Sequence, residues 1–528
     1  MKKTLVVLGM METKGVDAAC LVEKIHDINK NEDIQIIVID IGLRGEAVGI
    51  VPNITRFEVA QVGGYDFNKD IRDCKDGITK MAECIKKLIT ILYKLGKCHG
   101  LVSVDDELNL ITCAAIGVLP ESVPKFMDKY LTEVPKHLCF SMNTQSVNQS
   151  EPLALPLKIG ALTSKNRFCI QPMEGADADG KGLLTQDSIQ RYLNYCEGGA
   201  GVIFIEAVAL QPETRYHAKQ LLVDIKNPEN RASWENFIRQ LKLKYPSTLI
   251  LVQFHHPGDT MDVDYLDRYI DLQVDTCKFL YGIGFDGVDL KFCHGYLGSQ
   301  LLRPNNNHNW KYGGSWENRS RFAFDLCEKV RAAIPDQRFL VGAKTGIYED
   351  LPGGQGHVGA NNSAIDFSES IALIKGLEAR GCNYFSETLG NSTLNWSLMC
   401  PDRATSYYAY VHMATAKMMK ENLRPETCVI GVGLSVLGTG VPSGIKGDVS
   451  SYIQSATYCI KTGSMDMIGL GRQSLADPFL PAKYLSGKEK DINWCKTCNC
   501  CCDLLMGMQH VGCAVYNKKY ANLVAQIR

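Results

Sequence analysis

The chain has 528 residues, more than a single hydrophobic core usually organises, so at least two domains are expected. Its 45% hydrophobic and 22% charged residues are ordinary for a globular protein, and a formal net charge of -1 excludes bulk attraction to nucleic acid or to an anionic membrane. The 21 cysteines are spread along a long chain, which favours free thiols and metal ligands in a reducing compartment over a disulfide scaffold.

The opening residues, MKKTLVVLGM, predict a buried strand rather than a secretory signal. Glu12 and Lys14 follow the short apolar run directly, and no small-residue cleavage site is present. No stretch of the sequence reaches the ~18–20 apolar residues that a membrane span requires. We therefore expect a cytoplasmic protein without a membrane segment.

Residues 1–140 predict an α/β domain with an open parallel sheet. The runs TLVVLG and IQIIVIDIG are typical of buried strands, and each leads into a turn that contains glycine. Apolar residues recur at helical spacing over 17–29 and over 70–95, with Ile78 and Ile91 on the predicted buried side of the second helix. Strands that alternate with helices favour a parallel sheet covered on both faces.

A second α/β region follows a polar segment, residues 141–151, which has the composition of a linker. Over residues 152–485, eight strand-like runs alternate with helix-sized segments. These runs are FCIQP, GVIFIEA, LILVQF, GVDLKF, FLVGAK, YFSETL, CVIGVG and DMIGLG. Eight such units predict a (β/α)8 TIM barrel. Residues 486–528 form a separate cysteine-rich segment.

Four cysteines of this last segment predict an iron–sulfur cluster. Cys495, Cys498, Cys501 and Cys513 stand in a C-x2-C-x2-C-x11-C run. Three thiolates on one tight loop, with a fourth from downstream, are typical ligands of a [4Fe–4S] cluster. A structural zinc site is the alternative, although zinc ribbons usually space two C-x2-C pairs more evenly. Cys502 is an alternative to Cys501 as the third ligand.

The barrel region resembles the old yellow enzyme family. The motifs KNRFCIQPME, QFHH, FDGV, HGYL, YGGSWENR and GLGRQ occur in order within residues 152–528, and the cysteine run follows them. This arrangement is similar to the iron–sulfur branch of the NADH:flavin oxidoreductases, which includes 2,4-dienoyl-CoA reductase and trimethylamine dehydrogenase. The resemblance implies a TIM barrel that binds FMN at the carboxyl ends of its strands.

The same resemblance implies which residues hold the flavin. Backbone N–H groups of glycine-rich loops suit the FMN phosphate, and Gln253 would bond the pyrimidine edge of the ring. Lys344 stands where the family usually has arginine and would still stabilise negative charge on the reduced ring. The implied cofactor-binding residues are Pro172, Met173, Glu174, Ala207, Gln253, Lys344, Gly433, Gly471 and Arg472.

The segment FDGVDLKFCHGYL carries the implied catalytic residues Lys291, His294 and Tyr296. Relatives commonly have His-x-x-His or His-x-x-Asn at the first two positions, a pair of donors that hold a substrate carbonyl oxygen. Because residues three apart in a strand face opposite ways, we expect the strand to end before His294. Tyr296 matches the family's proton donor, with a buried structural tyrosine as the alternative. The glycine-rich loop 352–359 has the composition of a mobile lid.

Residues 1–140 resemble the amino-terminal half of the Tm-1-like ATP-binding (UPF0261) family. The matching stretches are VVLGMMETKG, VIDIG and AAIGVLPESVP. In that family two loops approach nucleotide phosphates, and Thr13 and Lys14 of the first loop are retained here. SVDDE, residues 103–107, stands where the second loop is glycine-rich, and its carboxylates would repel a phosphate. We therefore interpret this domain as an assembly or docking element rather than an ATP-binding one.

These patterns together predict an FMN- and [4Fe–4S]-dependent oxidoreductase that reduces a C=C bond conjugated to a carbonyl group. Hydride would pass from flavin N5 to the β-carbon, and Tyr296 would protonate the α-carbon. One alternative is an amine dehydrogenase or demethylase, and another is an electron-transfer or nucleotide-sensing scaffold with an inactive barrel. The expected partners are a small-molecule substrate, an electron donor (NAD(P)H, a ferredoxin or a separate flavoprotein) and further copies of the chain in a homo-oligomer.

Overall fold

The computed structural model divides into two units, residues 1–133 and 134–528. The residues that it describes are 3–28, 34–72, 74, 76–104, 110–120, 123, 125–127, 152–258, 262–361, 365–403, 405, 408–439 and 451–527. The predicted linker, residues 141–151, and the acidic residues 105–107 lie outside these ranges.

The N-terminal unit contains a four-stranded parallel sheet in the order β2-β1-β3-β4. Its strands are β1 Lys3–Gly9, β2 Ile34–Asp40, β3 Gly100–Ser103 and β4 Lys125–Met127, and its helices are α1 Met11–Ile28, α2 Arg56–Gly63, α3 Gly77–Lys94 and α4 Leu110–Gly117. Val6, Leu8 and Ile39 of the sheet are fully buried in one core with residues of α2 and α3. The predicted open parallel sheet is confirmed.

Helix α3 is shorter than predicted and buries a different face. A π-helical turn, Phe67–Ile71, occupies the start of the segment predicted as helix over 70–95. The buried residues of α3 are Gly77, Met81, Ala82, Cys84, Ile85, Leu88, Ile89 and Leu92. Ile78 and Ile91 are 50% and 46% exposed, so the prediction for these two residues was wrong. Leu92, four residues after Leu88, continues the buried face, and Ile91 lies beside it.

The second unit contains a closed barrel of eight parallel strands in which each strand pairs with the next and β14 pairs with β7. The strands are β7 Phe168–Ile170, β8 Val202–Val208, β9 Leu249–Phe254, β10 Gly287–Phe292, β11 Leu340–Gly346, β12 Tyr384–Thr388, β13 Cys428–Gly431 and β14 Met467–Leu470. A short antiparallel hairpin, β5 Leu157–Ile159 and β6 Leu162–Ser164, precedes them. All eight predicted runs are barrel strands, and the (β/α)8 fold is confirmed.

Helices follow the strands and surround the barrel. They are α5 Gln186–Glu197, α6 Pro228–Lys244, α7 Val263–Ile283, α8 Leu297–Leu302, α9 Trp316–Ala333, α10 Ser368–Ala379, α11 Trp396–Met399, α12 Tyr408–Glu421, α13 Tyr452–Lys461, α14 Arg472–Ala476, α15 Leu480–Leu485, α16 Cys500–Met506 and α17 Lys518–Ile527. Within the described parts of the chain, no helix is both long and apolar enough to span a membrane.

An apolar layer closes the amino end of the barrel. Phe204, Leu251 and Tyr384 pack there with residues of the other strands, and the β5–β6 hairpin contributes Ile159. The Tyr384 ring passes so close to β11 that a Cβ atom at Gly342 would lie 2.1 Å from it, which explains why glycine occupies that position. The Tyr384 hydroxyl donates to the carbonyl of Val288 at 2.9 Å. This layer leaves the carboxyl ends of the strands as the place for a cavity.

We predict that Trp234→Ala lowers the free energy of unfolding of the barrel by about 3–5 kcal/mol, because a fully buried indole leaves a large cavity. The ring packs edge-on against Phe237, and its Nε1 donates to the Leu222 carbonyl at 2.8 Å. Chemical denaturation followed by circular dichroism measures the change. Leu243→Ala, at a position on the same helix that is 79% exposed, is the control and should change the value by less than about 0.5 kcal/mol. Equal values for both variants would contradict the predicted packing.

Candidate functional site

A cavity opens at the carboxyl ends of the barrel strands and encloses about 1080 Å³, including its opening to solvent. We call it the central cavity. All twelve residues predicted for catalysis and flavin binding line it. They are Pro172, Met173, Glu174, Ala207, Gln253, Lys291, His294, Tyr296, Lys344, Gly433, Gly471 and Arg472. The parallel barrel therefore brings together residues that are about 300 positions apart in the sequence.

Lys344 lies on β11 and is held by a polar side chain of β12 and by another that directly follows β7. Its Nζ donates to Gln171 Oε1 at 2.7 Å and to Ser386 Oγ at 3.1 Å. The Ser386 hydroxyl also donates to Gln171 Oε1. These bonds fix the ammonium in the barrel interior, where only 5% of the residue is exposed. The sequence motifs indicated Lys344 but not Gln171 and Ser386, the two side chains that position it.

Gln253 is oriented by a buried carboxylate. Its Nε2 donates to Asp289 Oδ2 at 2.6 Å, and Asp289 is fully buried. An ionised carboxylate only accepts hydrogen bonds, so this contact directs the amide nitrogen of Gln253 to Asp289 and leaves the amide oxygen for other partners. Burial raises the pKa of Asp289 to about 6. The second oxygen of Asp289 has no hydrogen-bond partner among the described residues.

Two glycines and an arginine line another part of the central cavity. Gly433 has φ +81, and a Cβ there would lie 2.2 Å from the His412 ring. At Gly471 a Cβ would meet only the Met173 sulfur, at 3.7 Å, so the backbone is bordered by open space. The buried Arg472 guanidinium donates to Asn499 Oδ1 and to the Pro401 carbonyl. These residues combine an open backbone with fixed positive charge, which suits a phosphate group.

The predicted catalytic residues meet on one wall because the chain turns sharply after β10. The strand ends at Phe292, as expected, and His294 has a left-handed backbone with φ +64. Gly295 follows with φ +82. Lys291 and His294 can therefore both line the central cavity although they are three residues apart.

Burial keeps His294 and Tyr296 uncharged. It lowers the pKa of His294 well below its usual value, and the nearby Lys291 ammonium lowers it further. Burial also raises the pKa of the Tyr296 hydroxyl, against the opposing effect of a hydrogen bond with Ser392. His294 Nε2 lies 2.8 Å from the Thr388 hydroxyl. The site thus holds a neutral imidazole and a protonated phenol near one another.

The segment after β12 covers part of the central cavity, which the sequence analysis missed. Its lining residues are Ser392, Trp396, Met399, Cys400 and Pro401. The backbone N–H and the hydroxyl of Ser392 both donate to the His294 carbonyl, at 3.2 and 3.1 Å. The loop predicted as a lid, 352–359, does not line the cavity, and its Gln355 and His357 are 5% and 4% exposed. The lid prediction was wrong, because this loop is packed into the protein.

His255 is a second residue that the sequence analysis missed. Its ring is 1% exposed and packs edge-on against Tyr296 with the centroids 4.6 Å apart. Neither ring nitrogen has a hydrogen-bond partner in the described part of the chain. Its position two residues after Gln253, on the same side of an extended chain, was the available sequence signal. His255 therefore supports the inner side of the Tyr296 ring.

A smaller enclosed cavity, the cysteine cavity, lies beside the central one and has an empty volume of about 310 Å³. All four predicted ligands, Cys495, Cys498, Cys501 and Cys513, line it. Cys501 lines both cavities, whereas Cys502 lines only the central one. This arrangement favours Cys501 over Cys502 as the third ligand.

The thiols of the cysteine cavity surround a space rather than meeting at one point. Among the residues with described positions, no three His, Cys, Asp or Glu side chains are grouped closely enough to hold a single metal ion. The loop between Cys495 and Cys501 is tightly wound, with left-handed backbones at Thr497 and Asn499. Four thiols around an enclosed space fit a [4Fe–4S] cluster by the chemistry of the donor set.

The closed barrel and its cavity define the class of the second unit, which is a (β/α)8 protein with a site suited to a flavin. A model of the NADH:flavin oxidoreductase / NADH oxidase family matches residues 270–377. Dimethylamine dehydrogenase of Hyphomicrobium sp. (strain x) is 28% identical over 390 residues, which cover 66% of this chain and 47% of that protein. Cinnamate reductase of Clostridium sporogenes is 25% identical over 411 residues, which cover 70% of this chain and 58% of that protein.

A solved structure of 2-naphthoyl-CoA reductase in complex with 2-naphthoyl-CoA shares the fold, with a TM-score of 0.59 and 18% identity over 71% of this chain and 58% of that one. The chain spans about half the length of the curated relatives it matches. Together these matches support an oxidoreductase similar to the old yellow enzymes. The iron–sulfur branch and the Tm-1-like relationship of the first unit remain predictions.

We predict that Gly471→Val weakens FMN binding at least about tenfold, because the new side chain would occupy the open space beside the backbone. Fluorescence titration of the flavin-free protein with FMN measures the dissociation constant. Gly180→Val is the matched control, since Gly180 also borders open space but does not line the central cavity. Unchanged FMN affinity in the Gly471 variant would remove this backbone from the cofactor site.

Proposed function

We propose that the protein is an FMN- and [4Fe–4S]-dependent oxidoreductase that reduces a C=C bond conjugated to a carbonyl group. The observation that carries this proposal is the meeting of Lys291, His294 and Tyr296 on one wall of the cavity that the predicted flavin residues also line. When bound, FMN supplies a hydride from its N5 to the β-carbon of the substrate. The protein supplies the binding groups, the proton and the electrostatic stabilisation.

The residues that would hold FMN form three groups. Gln253, oriented by Asp289, offers its amide oxygen to the pyrimidine edge. Lys344 places a fixed positive charge in the barrel interior, which stabilises the negative charge of a reduced ring. Gly471 and Arg472 would receive the phosphate. The donor chemistry of all three groups fits this cofactor.

His294 and Lys291 would polarise the substrate carbonyl. The Thr388 hydroxyl can donate to Nε2 of His294, which leaves the proton of the neutral ring on Nδ1. That N–H then donates to the carbonyl oxygen. The Lys291 ammonium adds a positive charge on the same wall of the cavity. Both groups stabilise the negative charge that develops on oxygen as the β-carbon is reduced.

Tyr296 would complete the reaction by protonating the α-carbon. Its pKa is raised by burial, so the phenol retains its proton at neutral pH until the carbanion forms. The edge-on packing of His255 and the hydrogen bond with Ser392 restrict the ring. Addition of one hydride and one proton gives the saturated carbonyl compound, which balances the reaction.

The four cysteines would hold a cluster that exchanges electrons singly. Cys501 supports this proposal because it lines both the cysteine cavity and the central cavity. NAD(P)H, a ferredoxin or a separate flavoprotein would supply the electrons. The protein would act as a homo-oligomer in the cytoplasm.

Oxidation of an amine, as the name of the dimethylamine dehydrogenase relative suggests, fits the charges less well. Lys291 lies on the wall proposed to hold the substrate, and its ammonium would repel a protonated amine there. Stopped-flow spectroscopy under anaerobic conditions distinguishes C=C reduction from amine oxidation. A conjugated carbonyl compound should reoxidise the reduced holoprotein, and dimethylamine should not bleach the oxidised one; the reverse result would overturn the proposal.

Tyr296→Phe should slow reoxidation of the reduced flavin by the conjugated substrate about 10²- to 10⁴-fold, because the proton donor is lost. Reduction of the flavin by dithionite should keep its rate, since that step does not use the phenol. Stopped-flow absorbance measures both rates. If the variant is reoxidised as fast as the native protein, Tyr296 is not the donor.

Cys498→Ala should lower the iron and acid-labile sulfide content of anaerobically purified protein, because one of four cluster ligands is missing. Cys502→Ala is the matched control, since Cys502 does not line the cysteine cavity. The iron and sulfide content of the Cys502→Ala variant should stay at the native level. Loss of iron in the Cys502 variant, with retention in the Cys498 variant, would reject the ligand assignment.

A further inference from the structure

His412 is a fully buried histidine whose two ring nitrogens both face oxygen acceptors. It lies on α12, and its Nδ1 is 3.0 Å from Oε2 of Glu387, a residue of β12 that is also fully buried. Its Nε2 is 2.9 Å from the carbonyl oxygen of Leu398. A carbonyl oxygen and an ionised carboxylate can only accept hydrogen bonds. Both contacts are therefore satisfied together when each ring nitrogen carries a proton, which makes His412 an imidazolium paired with the Glu387 carboxylate.

The surroundings of this ion pair complete its hydrogen bonds. The hydroxyl of Thr415, three residues after His412 on α12, donates to Oε1 of Glu387 at 2.8 Å. Every side-chain nitrogen and oxygen of the pair thus has a partner. Removal of one charge from a buried pair leaves the other charge unpaired in the interior, which is strongly unfavourable. The geometry therefore favours retention of the proton on His412.

His294 is a second titratable group near His412. Burial and two lysine ammonium groups lower the pKa of His294, and the positive charge of His412 adds to this effect. The other neighbours of the His412 ring are backbone groups at Leu398 and at Gly433, where a Cβ would lie 2.2 Å from the ring. The charged state of His412 thus also helps to keep the imidazole on the substrate wall neutral.

The contact with Leu398 matters because that residue lies in the segment over the central cavity. We call residues 392–401 the cover segment. Near its start, the Ser392 hydroxyl donates to the His294 carbonyl at 3.1 Å. At its end, the Pro401 carbonyl accepts from Arg472. Both ends of the cover segment are therefore bonded to residues of the candidate site.

His412 holds the cover segment between these two ends. Leu398, whose carbonyl accepts from His412, is 1% exposed and lies on the short helix α11. Trp396 and Met399 of the same helix line the central cavity. A shift of the backbone at Leu398 would therefore move two apolar side chains of the cavity wall.

Loss of a proton from His412 would release this contact. A neutral imidazole has one N–H group and cannot donate to two oxygens at once. The Glu387 carboxylate is the stronger acceptor, so the remaining proton would stay on Nδ1. The lone pair of Nε2 would then face the Leu398 carbonyl oxygen, and two acceptors at hydrogen-bond distance repel each other.

We propose that His412 is a positioning residue of the candidate active site, which holds the cover segment in place while it is an imidazolium paired with Glu387. Deprotonation of the ring loosens the apolar wall that Trp396 and Met399 form. The positioning role does not depend on which reaction the site performs. Its consequence, weaker substrate binding when the ring is neutral, rests on the proposed function.

Two sets of substitutions separate the contact with Leu398 from the ion pair. His412→Asn places its amide near the position of Nδ1, so it can still donate to Glu387 but no longer reaches the Leu398 carbonyl. The double variant Glu387→Gln, His412→Gln replaces the ion pair with two neutral amides, and the amide at position 412 can donate to Leu398 at any pH. Circular dichroism and flavin content equal to the native values establish that each variant is folded.

Hydrogen exchange of the holoprotein, followed by mass spectrometry, tests the positioning role. The cover segment should exchange about tenfold faster in His412→Asn than in the native protein, because one hydrogen bond to the segment is lost. Exchange in the double variant should stay close to the native rate. Equal exchange in His412→Asn and the native protein, or equally fast exchange in both variants, would overturn the inference.

Nitrogen-15 NMR of histidine-labelled protein measures the charge of the ring. The His412 signals, identified by their loss in His412→Asn, should show two protonated nitrogens at neutral pH, and a neutral ring there would contradict the inference. As the pH rises, exchange of the cover segment should accelerate in the native protein relative to the double variant at the same pH. A ratio that stays constant wherever the protein is folded would overturn the proposed effect of the proton.

Kinetics of the holoprotein with cyclohex-2-enone, an uncharged conjugated ketone, test the consequence for binding. KM should rise about tenfold in His412→Asn and stay near the native value in the double variant. The change in kcat should be much smaller, because the reacting groups keep their places. An unaltered KM in His412→Asn would reject the effect on substrate binding. If exchange and NMR give the expected results but no form reduces the ketone, the positioning role stands and the proposed reaction fails.

Discussion

Closure of the barrel between β14 and β7 is the constraint on which the site depends. Ile468 pairs with Phe168 across this seam, and the Lys344 ammonium reaches from β11 to Gln171, the residue that follows β7. Because all eight strands are parallel, their carboxyl ends meet around one cavity. An apolar layer around Tyr384 fills the amino end of the barrel. The polar side chains of the site lie at the carboxyl end. The candidate functional residues therefore lie at the carboxyl ends of the strands, beyond the apolar layer.

The central cavity brings charged and titratable side chains from several strands together. Three charged groups at the site have defined partners: Lys344 donates to an amide oxygen, Asp289 accepts from an amide nitrogen, and Arg472 donates to Asn499 and to a carbonyl. Among the described residues, Lys291 has a cation–π contact with Tyr296 and neither a hydrogen bond nor an ion pair. The neutral states of His294 and Tyr296 follow from burial, and they allow each group to donate a proton or a hydrogen bond at neutral pH.

The barrel could be predicted from local patterns, and most of the site residues from the resemblance to the old yellow enzyme family. Buried parallel strands are short apolar runs, and a residue at the end of such a run reaches the common cavity whatever the rest of the chain does. Gln253, Lys344 and Gly471 are in that position. The break between Lys291 and His294 also followed from strand geometry, since two residues three apart cannot share a face of one strand.

The rest depends on contacts that the sequence does not display. Glycine content suggested a mobile loop over 352–359, yet Gln355 is bonded to Glu349 and buried. The segment that contributes Trp396 reaches the cavity through its bonds to the His294 backbone, which involve residues about 100 positions away. The buried side of α3 likewise depends on where the sheet lies, so Ile78 and Ile91 could not be assigned from periodicity alone.

The boundary between the two cavities is narrow, because one residue, Cys501, belongs to both. Leu505 and Val511, from the same C-terminal segment, also form part of the wall around the proposed flavin site. The segment that would bind the inorganic centre is thus also a structural part of the organic cofactor's pocket. A chain whose C-terminal segment has not folded would therefore present an incomplete central cavity, so loading of the proposed flavin would depend on the folding of that segment.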